Sequence, residues 1–411
     1  MSNIPELAKG QPSLTWDSVV RTTFYSVGTT SPSLMHAAAT RGSQGKVPFD
    51  NVDYPPIPKE LVVHVLNSAT GRAQSPWAYD ESVLRRELAQ LLGFLLESEI
   101  SAFRSVWQVA QWLALNLKPE KNGSVAFCFF EPEHLVVPFV NSLRRRGFLP
   151  RLVPLTDSYD VRLDILPQLA KAGPLFFILS VVEPITGRIT NASDVVKAVH
   201  EVGGLVAVDA THYVQRLSQS LGTIDSDLTL IRSRPLLAPD GIVLTYMSRR
   251  LRETLKRDPE ASSSWHSMSS LDAPVESVRP MVESIRYLAG LSGRRKAEAE
   301  NSKAILEGLR QCDSVRIIGP ADVGERVAIF TLSVGGLEPA EVALLLDSGT
   351  DLLVSSGKPG MGSSQLLHSY PDNGAIRASP FVNNGANDVE RFVEAMKSID
   401  AAARWAGPVT S

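Results

Sequence analysis

Residues 225–246 read DSDLTLIRSRPLLAPDGIVLTY. An apolar run from Leu228 to Ile231 is followed by a polar turn and a second apolar run ending at Tyr246. Short continuous apolar runs bounded by turn residues mark strands buried on both faces. The same pattern recurs on the N-terminal side in VAFCFF (125–130), PRLVPL (150–155), LFFILSVV (175–182) and GLVAVDA (204–210), and GIVLTY (241–246) closes the series. Helix-like stretches separate these runs. One of them, HLVVPFVNSLRRRG (134–147), ends in basic residues and glycine, as helix C-termini prefer. Continuous apolar strands alternating with helices predict a parallel sheet covered on both faces. SSSWHSMSSLDAP (262–274) is Ser-rich and reads as a loop, and VESVRPMVESIRYLAGL (275–291) reads as a long helix leading out of the large domain. RVAIFTLSV (326–334) and the helix DVERFVEAMKSI (388–399) predict a small α/β domain.

Composition narrows the class. A chain of 411 residues suits two domains with sizeable cores. Its 44% hydrophobic and 21% charged residues are those of a globular protein. A net charge of −3 gives no nucleic-acid footprint and no membrane-surface patch. Cys128 and Cys312 are isolated in sequence, so no metal site is expected from cysteine spacing. Cys128, inside VAFCFF, reads as a buried thiol. No apolar run is long enough to span a bilayer and no charged-then-apolar leader opens the sequence, so a cytoplasmic protein is expected.

Five segments carry a family resemblance. In 225–246, Asp227 leads the strand and Pro239-Asp240-Gly241 closes the turn. LFFILSVVEPITGRI (175–189) supplies a strand and a Thr186-Gly187 turn, and DVVKAVHEVGGLVAVDATHY (194–213) supplies a helix, a tight glycine turn and a strand ending in Asp-x-x-His. GAIRASPFVNNGANDVERFVEAM (374–396) contains Arg377, and FYSVGTTSPSLMHAA (24–38) fits an opening strand and first helix. Together they resemble the class V aminotransferase-like proteins, which include cysteine desulfurases and isopenicillin N epimerase. The resemblance implies pyridoxal phosphate (PLP) fold type I, an α/β fold with a mainly parallel sheet in the large domain and a smaller α/β domain. It places the large domain at 51–284 and the small one at 1–50 together with 285–411. It also implies a homodimer in which the 262–274 loop, with Trp265 and His266, reaches the partner.

The resemblance assigns the site residue by residue. Counting back from Pro239, the family's His-Lys pair falls on Arg234-Pro235, and proline has no amine for a Schiff base. Asp209 takes the place of the aspartate that pairs with the pyridinium nitrogen; a turn or helix-cap role is the open alternative. His212 matches the residue that approaches the ring oxygen, or is a neutral structural histidine. In ISAFRSVWQVAQ (100–111), Ser105 alone keeps a hydroxyl where the family holds the phosphate, and Trp107 is expected to fill that space. The ring-stacking His position falls on Pro132, with His134 two residues on and expected to serve only if the loop is reshaped. Arg377 occupies the place of the substrate-carboxylate arginine, or forms an interdomain ion pair. Arg232 and Arg234 either bind an anion or fold outward. Lys358, in VSSGKPGMGSS (354–364), reads as solvent-exposed, and that segment has no cysteine for persulfide chemistry.

The expectation from these substitutions is a chain with no cofactor, non-covalent PLP or pyridoxamine phosphate being the alternative. The leading functional expectation is a repurposed PLP-independent enzyme acting on an amino-acid-derived carboxylate, with Asp209 and His212 as its acid–base pair. A silent partner of an active paralogue is the competing one.

Overall fold

Side chains of one buried strand go alternately to two cores, and this defines the architecture. In Leu175–Ser180, Phe177 and Leu179 join one apolar cluster while Phe176 and Ile178 join another. The same division splits Val206 and Val208 from Ala207, and Ala126 and Cys128 from Val125 and Phe127. A strand buried on both faces therefore needs no alternation of polar residues, which is why these runs are continuously apolar.

The computed structural model describes residues 45–58, 61, 81–118, 122–218, 220–255, 275–357 and 374–406. Its strands are β1 (Val47–Pro48), β2 (Ile100–Phe103), β3 (Gly123–Cys128), β4 (Phe148–Val153), β5 (Leu175–Ser180), β6 (Leu205–Asp209), β7 (Leu228–Arg232), β8 (Val243–Met247), β9 (Val315–Ile318), β10 (Phe330–Val334), β11 (Leu352–Leu353), β12 (Ser355–Gly357) and β13 (Ala375–Ala378). The helices used below are α1 (Glu81–Leu92), α2 (Val106–Asn116), α3 (Glu133–Arg144), α4 (Ala192–Glu201), α5 (Thr211–Arg216), α6 (Val275–Gly290), α7 (Arg294–Leu309), α8 (Pro339–Thr350) and α9 (Ala386–Ala406).

Seven strands form the main sheet in the order β2-β8-β7-β6-β5-β3-β4. The pairs from β4 through β7 are all parallel, and β8 runs antiparallel to both β7 and β2. The expected mainly parallel α/β sheet is thus present, with one reversed strand. Gly241 sits at φ 95 in the turn, so β8 begins at Val243 rather than at residue 241. Helices α1, α4 and α6 contribute to the cluster on one face, and α2 and α3 to that on the other. A second sheet, β12-β13-β10-β9, is antiparallel and shares a core with α7, α8 and α9. Phe49, just after β1, belongs to that second core and stacks on Phe392 with ring centroids 4.9 Å apart. Among the described residues no helix is long and apolar enough to cross a membrane. The segments 24–38, 262–274 and 358–364 lie outside the described residues.

Two buried contacts fix the second core against the main sheet. Fully buried Arg216, on α5, pairs with Glu298 of α7 at 2.9 Å and donates to the carbonyl of Pro380 at 3.1 Å. The Thr186-Gly187 turn after β5 meets the strand-like segment before β10. There Val327 N–H donates to the Gly187 carbonyl at 2.8 Å, and a Cβ on Gly187 would lie 2.5 Å from the Ile329 carbonyl oxygen. Gly187 also has φ 76, in the left-handed region. Gly187→Ala combines a strained backbone with a clash against main-chain atoms, and we expect it to destabilise the fold by about 2–4 kcal/mol in urea unfolding. A loss below about 0.5 kcal/mol, within the scatter of neutral surface changes, would show that the turn relaxes freely.

Candidate active site

The parallel strands end at one edge of the main sheet, where open α/β folds carry ligands. Asp209 is the last residue of β6 and is 3% exposed. One of its oxygens, Oδ1, accepts the Thr211 N–H at 2.8 Å and shapes the turn into α5. The other, Oδ2, lies 3.9 Å from His134 Nε2 and 3.5 Å from Arg232 Nε. Burial opposes ionisation, but His134, the Arg232 charge and the Thr211 contact outweigh it and hold the carboxyl far below the usual range. Asp209 is therefore a buried anion whose second oxygen faces the site.

Arg232, at the end of β7, is held by a short relay. Gln215 Nε2 donates to the Asn51 carbonyl at 3.1 Å, which leaves Gln215 Oε1 to accept from His212 Nδ1–H at 2.9 Å. His212 Nε2 then accepts from Arg232 Nη2 at 3.2 Å. Arginine only donates, so Nε2 carries no proton and the ring is neutral. Burial first, and then the Arg232 charge, push the His212 pKa down to about 3. Its acceptor nitrogen is already engaged, so in this arrangement His212 positions Arg232.

Arg377, buried in β13, lies among carboxylates. Its Nε donates to Asp50 at 2.9 and 3.1 Å, and its Nη2 donates to Asp53 at 3.1 Å. Asp53 Oδ1 is in turn 3.7 Å from Arg232 Nη1. Burial works against Asp53 ionising, but Arg377 and Arg232 overcome it and keep the carboxyl well below its ordinary value. Charges thus alternate along Asp50, Arg377, Asp53, Arg232 and Asp209. Arg234 stacks its guanidinium over Tyr54, 4.8 Å from the ring centroid. The Nε atom of Arg234 is buried with no hydrogen-bond acceptor among the described residues, and that of Arg232 faces only the Asp209 carboxylate, at 3.5 Å. A buried donor without an acceptor is costly, and the Arg234 Nε–H suits an anionic ligand.

The other expected positions are spread more widely. Ser105 is the N-cap of α2 and accepts the Gln108 N–H at 3.2 Å. Trp107 does not plug the interior: it is 41% exposed and lines an outer cleft of about 460 Å³ with Asn141, Arg144 and Arg145. Its place in the first turn of α2 turns the indole outward while Val106 and Val109 face the core. His134 lies in the first turn of α3, which Pro132 caps, with its Nε2 3.9 Å from Asp209 Oδ2. Pro235 is buried in the short 3₁₀ turn Arg234–Leu236, which ends at Leu237 with φ 66. Asp50, Asp53, Tyr54 and Gln215 were missed by sequence reasoning, and the only signal was a pair of aspartates in DNVDYPP (50–56). Cys128 and Cys312 are both buried, and burial raises both thiols above their ordinary range. Lys358, Trp265 and His266 lie outside the described residues. No group of three His, Cys, Asp or Glu side chains among the described residues is placed to hold a metal ion.

The neutral His212 has a pH consequence. Its folded pKa lies below the unfolded value of 6.5, so the unfolded chain binds the extra proton and stability is lost as pH falls from about 6.5 toward 3. At pH 5 this single group amounts to about 2 kcal/mol. Glu131 and Glu183, raised to about 7 chiefly by burial, contribute in the opposite direction, stability being lost as pH rises through that value. The comparison with His212→Gln therefore isolates the histidine: between pH 7 and pH 5 the wild type should lose about 2 kcal/mol of unfolding free energy relative to the variant. Parallel curves would mean that His212 is protonated in the fold.

Comparison with known proteins agrees with this fold. The family model described as aminotransferase class-V matches residues 109–392, more than half of the chain. A probable cysteine desulfurase of Aeropyrum pernix is 23% identical over 350 residues, covering 78% of this chain and 84% of that protein. A probable cysteine desulfurase of Chlamydia muridarum is 25% identical over 337 residues, covering 77% and 82%. Among solved structures, an apo cysteine desulfurase of Thermococcus onnurineus superposes with a TM-score of 0.73 at 18% identity, covering 87% of this chain and 95% of that one. The fold is thus that of the expected fold type I proteins. The expectation of a chain without a cofactor is corrected by the family match, which points to PLP. That expectation weighed the residues at 106, 107, 132 and 235, whereas the outward oxygen of Asp209 and the buried Nε–H of Arg234 emerge only in the fold. The chain belongs to the class-V aminotransferase family.

Proposed function

We propose that the protein binds PLP at the edge of the main sheet and acts on an amino-acid-derived carboxylate. The observation that carries this reading is the buried anionic Asp209, whose Oδ2 faces the site with no closer cation than Arg232 at 3.5 Å. A carboxylate so placed favours a protonated pyridine nitrogen, and PLP, when bound, supplies an electron sink to the substrate. Arg234 offers its unengaged Nε–H to the anionic groups of cofactor or substrate. His212 holds Arg232 in register, and His134 stands beside Asp209. Pro235 contributes no amine, so the hold on the cofactor rests on these groups.

The relatives named cysteine desulfurase do not fix the reaction of this chain. Cys128 lies in the core of the sheet and Cys312 in the second core, and both thiols are held protonated. Neither offers a thiolate for sulfur transfer. The reading taken here is therefore the wider one, an amino-acid-derived carboxylate, with the protein as a homodimer in keeping with the sequence resemblance. Sedimentation at micromolar concentration should give a dimer, and a monomer would remove that part of the proposal.

Titration with PLP, followed by calorimetry, tests the central part. Saturable binding at one site per chain is expected. Asp209→Asn keeps the shape of the side chain but removes the charge, and should weaken binding by about 1.5–3 kcal/mol, the range for a hydrogen bond to a charged group. Absence of saturable binding in the wild type, or an unchanged affinity in a folded Asp209→Asn protein, would refute the assignment.

A further inference from the structure

Arg377 is the residue that sequence resemblance offers to a substrate carboxylate, yet its forked Nε–Nη2 edge is already shared between two carboxylates of the same chain. Asp50 takes Nε at 2.9 Å and Asp53 takes Nη2 at 3.1 Å. One guanidinium with two carboxylates sums to a charge of −1, which repels a third carboxylate approaching from the site. The two aspartates are not equivalent. Asp50 is 4% exposed at its side chain and sits where the backbone bridges to Ser379, with Asn51 N–H donating to the Ser379 carbonyl at 3.1 Å. Asp53 is 31% exposed at its side chain, lies in the segment beyond that bridge, and also faces Arg232 at 3.7 Å. Asp50 is thus built into the sheet, whereas Asp53 stands on the accessible side of Arg377.

We infer that Asp53 is a specificity-determining residue: its carboxylate takes the face of Arg377 that a ligand carboxylate would need. The site then leaves ligand anions to Arg234, whose Nε–H has no acceptor among the described residues, since Arg232 is itself shared between Asp209 and Asp53. The preferred substrate is accordingly an amino-acid derivative whose anionic group is presented to the Arg234 side. A small free amino acid relying on Arg377 alone is excluded. This inference deepens the proposed function and rests on the same pocket being ligand-binding.

The test uses L-alanine as probe on the full chain, by calorimetry, with no PLP added, so that its outcome is independent of cofactor binding. Asp53→Asn removes the competing charge and keeps the side-chain volume. It should bind L-alanine at least fivefold more tightly than the wild type, and adding Arg377→Ala to that variant should abolish the gain. Asp53→Ser is read in parallel, so that either folded variant decides the question. A gain below fivefold, or a gain that survives removal of Arg377, overturns the inference. A PLP titration of the same variants separates the two readings. Cofactor binding without an alanine effect would leave the proposed function standing and remove Asp53, and an alanine effect without cofactor binding would do the reverse.

Discussion

The guanidinium of Arg232 is the charge around which the candidate site is assembled. It lies between Asp209 at 3.5 Å and Asp53 at 3.7 Å, and its Nη2 is fixed by His212. Two buried or half-buried carboxylates at that edge of the sheet would be strongly unfavourable without a cation between them. Through this one side chain the end of β6, the end of β7, the turn into α5 and the segment after β1 are held in a common arrangement. His212 is kept neutral by its burial and by the same charge, and a protonated ring could not accept from a guanidinium.

The two halves of the site differ in how far their charges are satisfied. On the substrate side, the Nε–Nη2 edge of Arg377 is taken by Asp50 and Asp53, and its guanidinium is held charged by both. On the cofactor side, Asp209 has an oxygen turned to the site, and Arg234 keeps a donor without an acceptor among the described residues. Unmet hydrogen-bonding capacity in a buried place is where a ligand gains most. This contrast supports placing the ligand anions on the side of Arg234.

Much of the fold was legible because burial on both faces leaves a plain mark. LFFILS and LVAVD are continuously apolar, and their side chains do divide between two cores. The reversal of β8 was not legible, since an apolar run carries no sign of its direction. Within the site, the Asp-x-x-His of β6 and α5 and the arginine of β13 could be found by resemblance. The pairing of Arg377 with Asp50 and Asp53 could not, because 327 and 324 residues separate them and neither aspartate has a periodic context. Trp107 misled because a residue in the first turn of a helix can face inward or outward, and its neighbours Val106 and Val109 took the inward positions. The reading of a lost cofactor leaned on what stood at single positions. The surviving carboxylate and guanidinium groups come together only in three dimensions.

A crystal structure of the protein grown with PLP tests the account most directly. One PLP per chain is expected, its ring nitrogen within hydrogen-bonding distance of Asp209 Oδ2 and an anionic group on Arg234. Density for PLP at another place on the chain, or a site in which Asp209 contacts only Arg232 and His134 at saturating PLP, would contradict it.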